Sequence, residues 1–301
     1  MKIYAIIVTY NAMRRNWADR CLKSLQNSTI PVTPVVVDNG STDGTREYIP
    51  SHYPDAVWLP QSHNLGFGQA NNVGICYVLN HHADYVLLLN QDASLHPDAL
   101  VHLTKACDGK SLLSPIQQNG NGTALDKMFK NTLRLAENQL LDDLLLGKVL
   151  HETYDTGRFA AACWFIPSDI IKTVGGFNPL FFHYGEDDNY YFRTQYYNYK
   201  TRIVSRAIMY HDRAEHGNIK LFNHNYLRRE LLNIACNINN SFIQCIAKWG
   251  NQLISCYYNY TKIHYRPGSF MVEMLWLALH FKSVYKSRKK EKQKGLTWLF
   301  H

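Results

Sequence analysis

Between Phe181 and Arg193 the chain reads Phe-Phe-His-Tyr-Gly-Glu-Asp-Asp-Asn-Tyr-Tyr-Phe-Arg, which sets three consecutive acids, Glu186, Asp187 and Asp188, among aromatic rings. A carboxylate held beside rings and like charges has a raised proton affinity and suits the removal of a proton from a hydroxyl. The same residues also suit a helix start. Acids in a first turn complement the helix dipole, and Gly185 breaks the preceding segment. Both readings stand on these residues alone.

Two further residues offer ligand chemistry. Asp92 follows the apolar run Tyr85–Leu89 and precedes Ala93-Ser94. A hard cation such as Mg2+ or Mn2+ takes oxygen ligands and accepts substrate phosphates as partners, so one protein carboxylate can hold it against a diphosphate. An Asp at a turn is also ordinary punctuation. His211 ends the run Arg202–Tyr210 and offers an imidazole as a second ligand, or a plain hydrogen-bonding side chain. The stretch Asn64-Leu65-Gly66-Phe67-Gly68-Gln69-Ala70-Asn71-Asn72 contains Gly-x-Gly, but Asn71 takes the third glycine position and the segment follows the third strand rather than the first. That argues against an NAD enzyme and for a loop entering a helix, whose free N–H groups can meet a phosphate or ribose.

The elements that must position these residues alternate. Ile3 to Thr9, Val35 to Val37 ending at Asp38, Val57 to Leu59, and Tyr85 to Leu89 read as strands, the first and last apolar throughout, as in buried parallel strands. Trp17, Cys21, Leu22 and Leu25 recur at helical spacing, as do Ala70, Val73 and Tyr77 within Phe67–Leu79. Strands alternating with helices predict βαβ units and a parallel sheet, with ligands outside the carboxyl ends of the strands. That edge carries Thr9-Tyr10-Asn11, Asp38-Asn39 and Asn90-Gln91-Asp92. Beyond it, Pro97–Cys107 reads as a helix and Asn119–Asp155 as a variable insertion near an acceptor side. Phe159–Ile166 and Arg202–Tyr210 read as strands, and amphipathic helices follow from about Asn225, carrying Leu227, Leu231, Ile234, Ile238, Phe242, Ile246, Trp249 and Leu253.

With 301 residues, 46% hydrophobic and 19% charged, the chain has the profile of a folded globular protein. Its seven cysteines lack any Cys-x-x-Cys pair, which suggests reduced thiols rather than a zinc site or disulfide framework. The opening run reads as a first strand and not as a signal peptide, and no stretch is long enough to span a membrane. Lys282, Lys286, Arg288, Lys289, Lys290, Lys292 and Lys294 against Glu291 carry +6 of the net +8, so the body is no nucleic-acid surface. Phe270, Trp276, Leu277, Leu279 and Phe281, followed by that basic run, suggest a surface-lying helix with a polybasic end, or else a packed helix with a solvated tail. The expected location is cytoplasmic, peripheral on the inner face of the membrane.

Taken in order, Ile7-Val8-Thr9-Tyr10-Asn11, Val37 to Thr45, Asn64-Leu65-Gly66, Leu89 to Ala93, and Gly175-Gly176-Phe177 with Phe181-Phe182 and Gly185-Glu186-Asp187 resemble the family 2 glycosyltransferases. The likeness is nearest to the bacterial rhamnosyltransferase-like and capsule or O-antigen branch and covers Met1 to His211. It implies an α/β GT-A fold, with a Rossmann-like, mostly parallel central sheet flanked by helices. Residues 1–215 would form the transferase domain, divided into a nucleotide-binding half 1–95 and an acceptor half 96–215. Residues 216–301 would form a helical extension with the basic tail. The implied activity is inverting transfer of a sugar from a UDP- or dTDP-linked donor to a hydroxyl of a lipid-linked saccharide in surface polysaccharide synthesis. Thr9, Tyr10 and Asn11 with Asp38 and Asn39 would hold base and ribose. Asn64, Gly66 and Asn72 would line the nucleotide-sugar side, joined by Asn90 and Gln91. Asp92 would match the last acid of the metal motif and His211 the late metal-side histidine, holding Mg2+ or Mn2+. Asp187 would be the base, with Glu186 in support. The chain departs from the pattern at Asn90-Gln91-Asp92, where many relatives carry two carboxylates, and at Asn189, where relatives often carry an acid. Glycoside hydrolysis by paired carboxylates and non-catalytic binding of a nucleotide sugar or glycan are the rival readings.

Overall fold

The computed structural model describes residues 1–135, 139–213, 224–258 and 267–300. Strands β1 (Ile3–Thr9), β2 (Thr33–Asp38), β3 (Val57–Pro60) and β4 (Tyr85–Leu89) run parallel in the order β3-β2-β1-β4. Helices α1 (Trp17–Gln26), α2 (Thr45–His52) and α3 (Phe67–Asn80) connect them. Alternate residues of each strand feed opposite cores: Ile3, Ala5, Ile7, Leu87 and Leu89 join Cys21 and Leu22 of α1, while Ile6, Val86 and Leu88 join Ala70 and Ile75 of α3. Burial on both faces is why these strands read as unbroken apolar runs.

At β4 the sheet changes character. Its outer neighbour β8 (Cys163–Pro167) is antiparallel, followed by β6 (Ser111–Asn119) and β9 (Lys200–His211), which are parallel to each other. The short strands β5 (Ala93–Leu95) and β7 (Thr153–Asp155) both pair antiparallel with β9. The expected strand Phe159–Ile166 is thus shorter, and the expected helix Pro97–Cys107 is α4 (Ala99–Lys105). Residues 119–155 form α5 (Lys127–Leu135), α6 (Gln139–Leu145) and β7, where Phe129, Leu133, Leu140 and Tyr154 close a small core against Ile203. Two further helices, α7 (Ser168–Val174) and α8 (Glu186–Tyr196), frame the acidic stretch.

The last helices are α9 (His224–Cys236), α10 (Phe242–Tyr258), α11 (Pro267–Leu279) and α12 (Phe281–Glu291). The expected boundary at 215/216 lies outside the described residues. Phe181 packs among Leu227, Leu231, Leu277 and Val284, so the extension shares a core with the loop that leads into α8. Part of the basic run is built into the fold, while Lys282, Lys286, Lys289, Lys292 and Lys294 stay exposed. Arg288 is buried and donates from Nη1 to the carbonyls of Ala235 and Asn237 at 2.7 and 2.8 Å, and buried Glu291 accepts from Asn178 Nδ2 at 2.7 Å. Leu299 then joins the α3 core, and the Gly176 N–H donates to the Thr297 carbonyl at 2.8 Å.

Gly66 has φ +81 and ψ 165, a conformation that side chains disfavour, and a Cβ there would lie 2.0 Å from the Phe182 carbonyl oxygen. Gly44 has a similar φ of +88 but nothing within 4 Å of its Cβ position. Gly66→Ala is therefore expected to cost at least about 2 kcal/mol in urea unfolding, and Gly44→Ala about half of that. Equal losses would contradict the close approach.

Candidate functional site

The edge at the carboxyl ends of the parallel strands is built by side chains that tie one strand end to the next. Buried Thr9 donates from Oγ1 to Asp38 Oδ1 at 3.4 Å, and the Asn39 N–H donates to the Thr9 carbonyl at 2.7 Å. Asp38 is fully buried and accepts from Arg46 Nε at 2.8 Å, so a residue without a sequence signal holds it in place. Asn11, at φ +53, turns the chain after β1: its N–H donates to Ser41 Oγ and its Oδ1 accepts from the Thr42 N–H, both at 2.9 Å. Gln91 accepts from the Tyr10 N–H at 2.8 Å and returns a bond from Nε2 to the Tyr10 carbonyl at 3.2 Å, leaving the Tyr10 ring exposed. Asn39 Nδ2 donates to Asn64 Oδ1 at 3.0 Å, and Asn64 Oδ1 accepts the Gly66 N–H at 2.8 Å. Asn72 behaves differently from its expected place beside the nucleotide sugar. Its Oδ1 accepts the Phe177 N–H at 2.7 Å, while its Nδ2 donates to the carbonyls of Phe177 and Trp298 at 2.8 and 3.3 Å. Its amide is committed to clamping the Gly176 loop and the C-terminal strip onto α3.

Asp92 stands just after β4, partly exposed, with His211 Nε2 3.2 Å from its Oδ1. Pairing of Ala93 with His211 in the β5–β9 register brings them together. Two donors at that spacing can occupy neighbouring positions on one octahedral ion, whose ligands sit about 2.1 Å from the metal, so the pair fits Mg2+ or Mn2+. Among the described residues no group of three His, Cys, Asp or Glu side chains converges. Behind the imidazole, buried Asp126 places Oδ2 3.8 Å from His211 Nδ1 and 2.7 Å from Arg213 Nε. Burial pushes the Asp126 carboxyl up, but Arg213, the Phe129 N–H and His211 together hold it below the usual carboxylate range. Asp126 also caps α5, accepting the N–H groups of Met128 and Phe129 on Oδ1 at 2.9 and 3.0 Å. An Asp just ahead of a helical run was the one signal that could have found it.

The acids do begin a helix, behind Gly185 at φ +96, as the helix-start reading expects. The three carboxyls meet different surroundings. Glu186 is 4% exposed and its Oε2 has no hydrogen-bond partner among the described residues; burial, with the Asp187 charge beside it, pushes its carboxyl up to about 8. Asp188 is buried against Arg158 Nη1 at 2.7 Å and Asn233 Nδ2 at 3.0 Å, and burial and Asp187 push it upward against the pull of Arg158. Asp187 is half-buried and accepts the Asp188 N–H on Oδ1 at 2.9 Å. Exposed Phe182 and Tyr184 stand beside this helix start. Arg158 and Asn233 were not anticipated; each is a lone polar residue in the sequence, brought to Asp188 only by the fold. The donor loop reaches the acids through glycines: Gly66 abuts the Phe182 backbone, and a Cβ on Gly68 would lie 2.9 Å from Phe177 Cβ and 3.4 Å from Glu186 Cβ.

Residues 4–157, half of the chain, match the family described as Glycosyl transferase family 2. A curated relative, N-acetylglucosaminyl-diphospho-decaprenol L-rhamnosyltransferase of Mycobacterium tuberculosis, is 26% identical over 193 residues. That match takes in 56% of this chain and spans 63% of the relative's length. Among solved structures, S. aureus TarS 1-349 in complex with UDP-GlcNAc is similar with a TM-score of 0.57 and 17% identity, over 97% of this chain and 90% of that one. A mannosyltransferase from Pyrobaculum calidifontis in complex with GDP-Man and Mn2+ gives 0.55 and 16%, over 96% and 84%. These likenesses are of architecture, and the architecture is GT-A.

The raised Glu186 carboxyl makes a signed prediction. The unfolded chain releases this proton near 4.5 and the folded one near 8, so stability from this group is full at low pH and falls as pH rises between those values, by up to roughly 1.4 kcal/mol per unit. Glu186→Gln removes that slope. Its melting temperature relative to the parent is expected to climb from pH 5 to pH 8; a constant difference would contradict a protonated Glu186.

Proposed function

The chain belongs to glycosyl transferase family 2, and from that premise we propose that it transfers a sugar, with inversion, from a UDP- or dTDP-linked donor to a hydroxyl of a lipid-linked saccharide acceptor. The observation that carries the reading is the junction of the Gly66–Gly68 turn with Phe182 and Glu186 at the α8 helix start, next to half-buried Asp187. Thr9, Tyr10, Asn11, Asp38 and Asn39 shape the nucleotide end, with Asn64 and Gly66 next to it. A rhamnosyltransferase among the relatives, named for a diphospho-decaprenol substrate, supports a lipid-linked acceptor for a surface polysaccharide.

Asp187 takes the proton of the attacking hydroxyl in the transition state. Glu186 stays protonated at neutral pH and so adds no second negative charge against the incoming nucleophile. Asp188 is held by Arg158 and Asn233, which anchors the helix start under Asp187. Inversion follows from a single displacement with the base on the face opposite the leaving group. Asp92 and His211 would hold Mg2+ or Mn2+, which when bound supplies positive charge to the departing diphosphate. Asp126, its Oδ2 3.8 Å from His211 Nδ1, sets a negative charge behind the ring.

Asp187→Asn is expected to lower nucleoside diphosphate release in the presence of acceptor by roughly 10²–10⁴-fold while leaving donor affinity unchanged. Normal turnover in that variant would remove the base assignment. Release that needs no acceptor in the parent would point to hydrolysis instead, and donor binding without turnover to a binding protein. Asp92→Ala is expected to abolish the Mn2+ dependence of donor binding, measured by thermal shift with and without the ion.

A further inference from the structure

Away from the cleft, Ile243, Ile246 and Ile254 of α10 and Met271, Leu275 and Leu279 of α11 are each more than half exposed. Their spacings put each set on one stripe of its helix. The opposite sides of both helices are occupied: Trp249 Nε1 donates to the Leu231 carbonyl at 3.2 Å, Leu277 packs in the α9 core, and Glu273 accepts from Arg228 Nε at 2.6 Å. The apolar stripes therefore face away from α9, outward. An outward apolar surface of this extent marks an interaction site.

Charge identifies the partner. Among the described residues from Phe242 to Glu291 the acids are Glu273 and Glu291, each 1% exposed, whereas Lys248, Lys282, Lys286 and Lys289 are exposed. The surface thus offers apolar side chains with charge of a single sign around them. No helix among the described residues is long and apolar enough to cross a membrane, so such a surface lies on a bilayer rather than in it. A second copy of the chain would set lysines against lysines, which opposes self-association through this face. We propose that the α10–α11 face, with the outward Lys282 and Lys286 of α12, binds the surface of an anionic lipid bilayer. The contact takes in the outward lysines of α12, whose Arg288 and Glu291 are turned inward.

The test is co-sedimentation of the full chain with vesicles, read without any sugar transfer, so its failure leaves the chemistry of the cleft untouched. The chain is expected to pellet with mixed phosphatidylcholine–phosphatidylglycerol vesicles and to be released by salt, with little binding to phosphatidylcholine alone. Lys282→Glu with Lys286→Glu is expected to lower partitioning at least about tenfold. Ile246→Asp with Leu275→Asp is expected to abolish it, with melting and circular dichroism unchanged because both side chains are exposed. Leu145→Ser, at a still more exposed leucine of α6, is the control and should bind as the parent does. Binding indifferent to anionic lipid, binding retained by the double aspartate variant, binding lost in Leu145→Ser, or a stable dimer in solution broken by Leu275→Asp would each overturn the proposal.

Discussion

The close approach of the Gly66–Gly68 turn to the chain around Phe177, Phe182 and Glu186 is the constraint on which the rest depends. A methyl group at Gly66 would fall within 2.0 Å of a carbonyl oxygen, and one at Gly68 within 2.9 Å of Phe177 Cβ. Backbone contact of that kind fixes position more tightly than side-chain packing, because neither partner can yield without moving its element. It joins the end of the parallel half to the start of α8, two parts of the chain more than a hundred residues apart. Asn72, on the same helix, seals the junction from behind by binding Phe177 and Trp298. The glycines that suggest a phosphate loop in the sequence thus serve first to let two loops touch.

The acids depend on that junction for their division of labour. Three adjacent carboxyls in a partly buried helix start cannot all carry charge cheaply, and the dipole favours anions only in part. The fold separates them: burial raises the proton affinity of Glu186, Arg158 and Asn233 balance Asp188, and Asp187 is left half-buried. The same logic runs through the second constellation, where His211 lies between Asp92 at the cleft and Asp126 tied to Arg213 in the interior.

Most of the parallel half was legible because buried parallel strands leave an unmistakable apolar run; β1 and β4 fall on the residues that the pattern predicts. The mixed part of the sheet beyond β4 was less so. β6 is interrupted by Pro115 and ends in Gln117 and Gln118, and β5 and β7 are three residues each, too short to show a period. The site divided in the same way. Residues at strand ends announced themselves through topology, whereas Arg46, Asp126, Arg158 and Asn233 reach the site through tertiary contacts. Asn72 reads as polar and near a glycine turn, which suits a ligand as well as a clamp; only its hydrogen bonds tell the two apart. Within the basic run, composition cannot say that Arg288, unlike its exposed lysine neighbours, meets the carbonyls at the end of α9.

The account stands on one spatial claim, that donor, metal pair and base share a single cleft across the Gly66–Phe182 junction. A crystal structure with an intact nucleotide sugar and Mn2+ tests it most directly. The account predicts the ion between the diphosphate and Asp92 with His211, and the Asp187 carboxylate facing the anomeric carbon from the side opposite the diphosphate. A nucleotide bound away from the ends of β1, β2 and β4, or a sugar whose anomeric carbon turns away from Asp187, would contradict it.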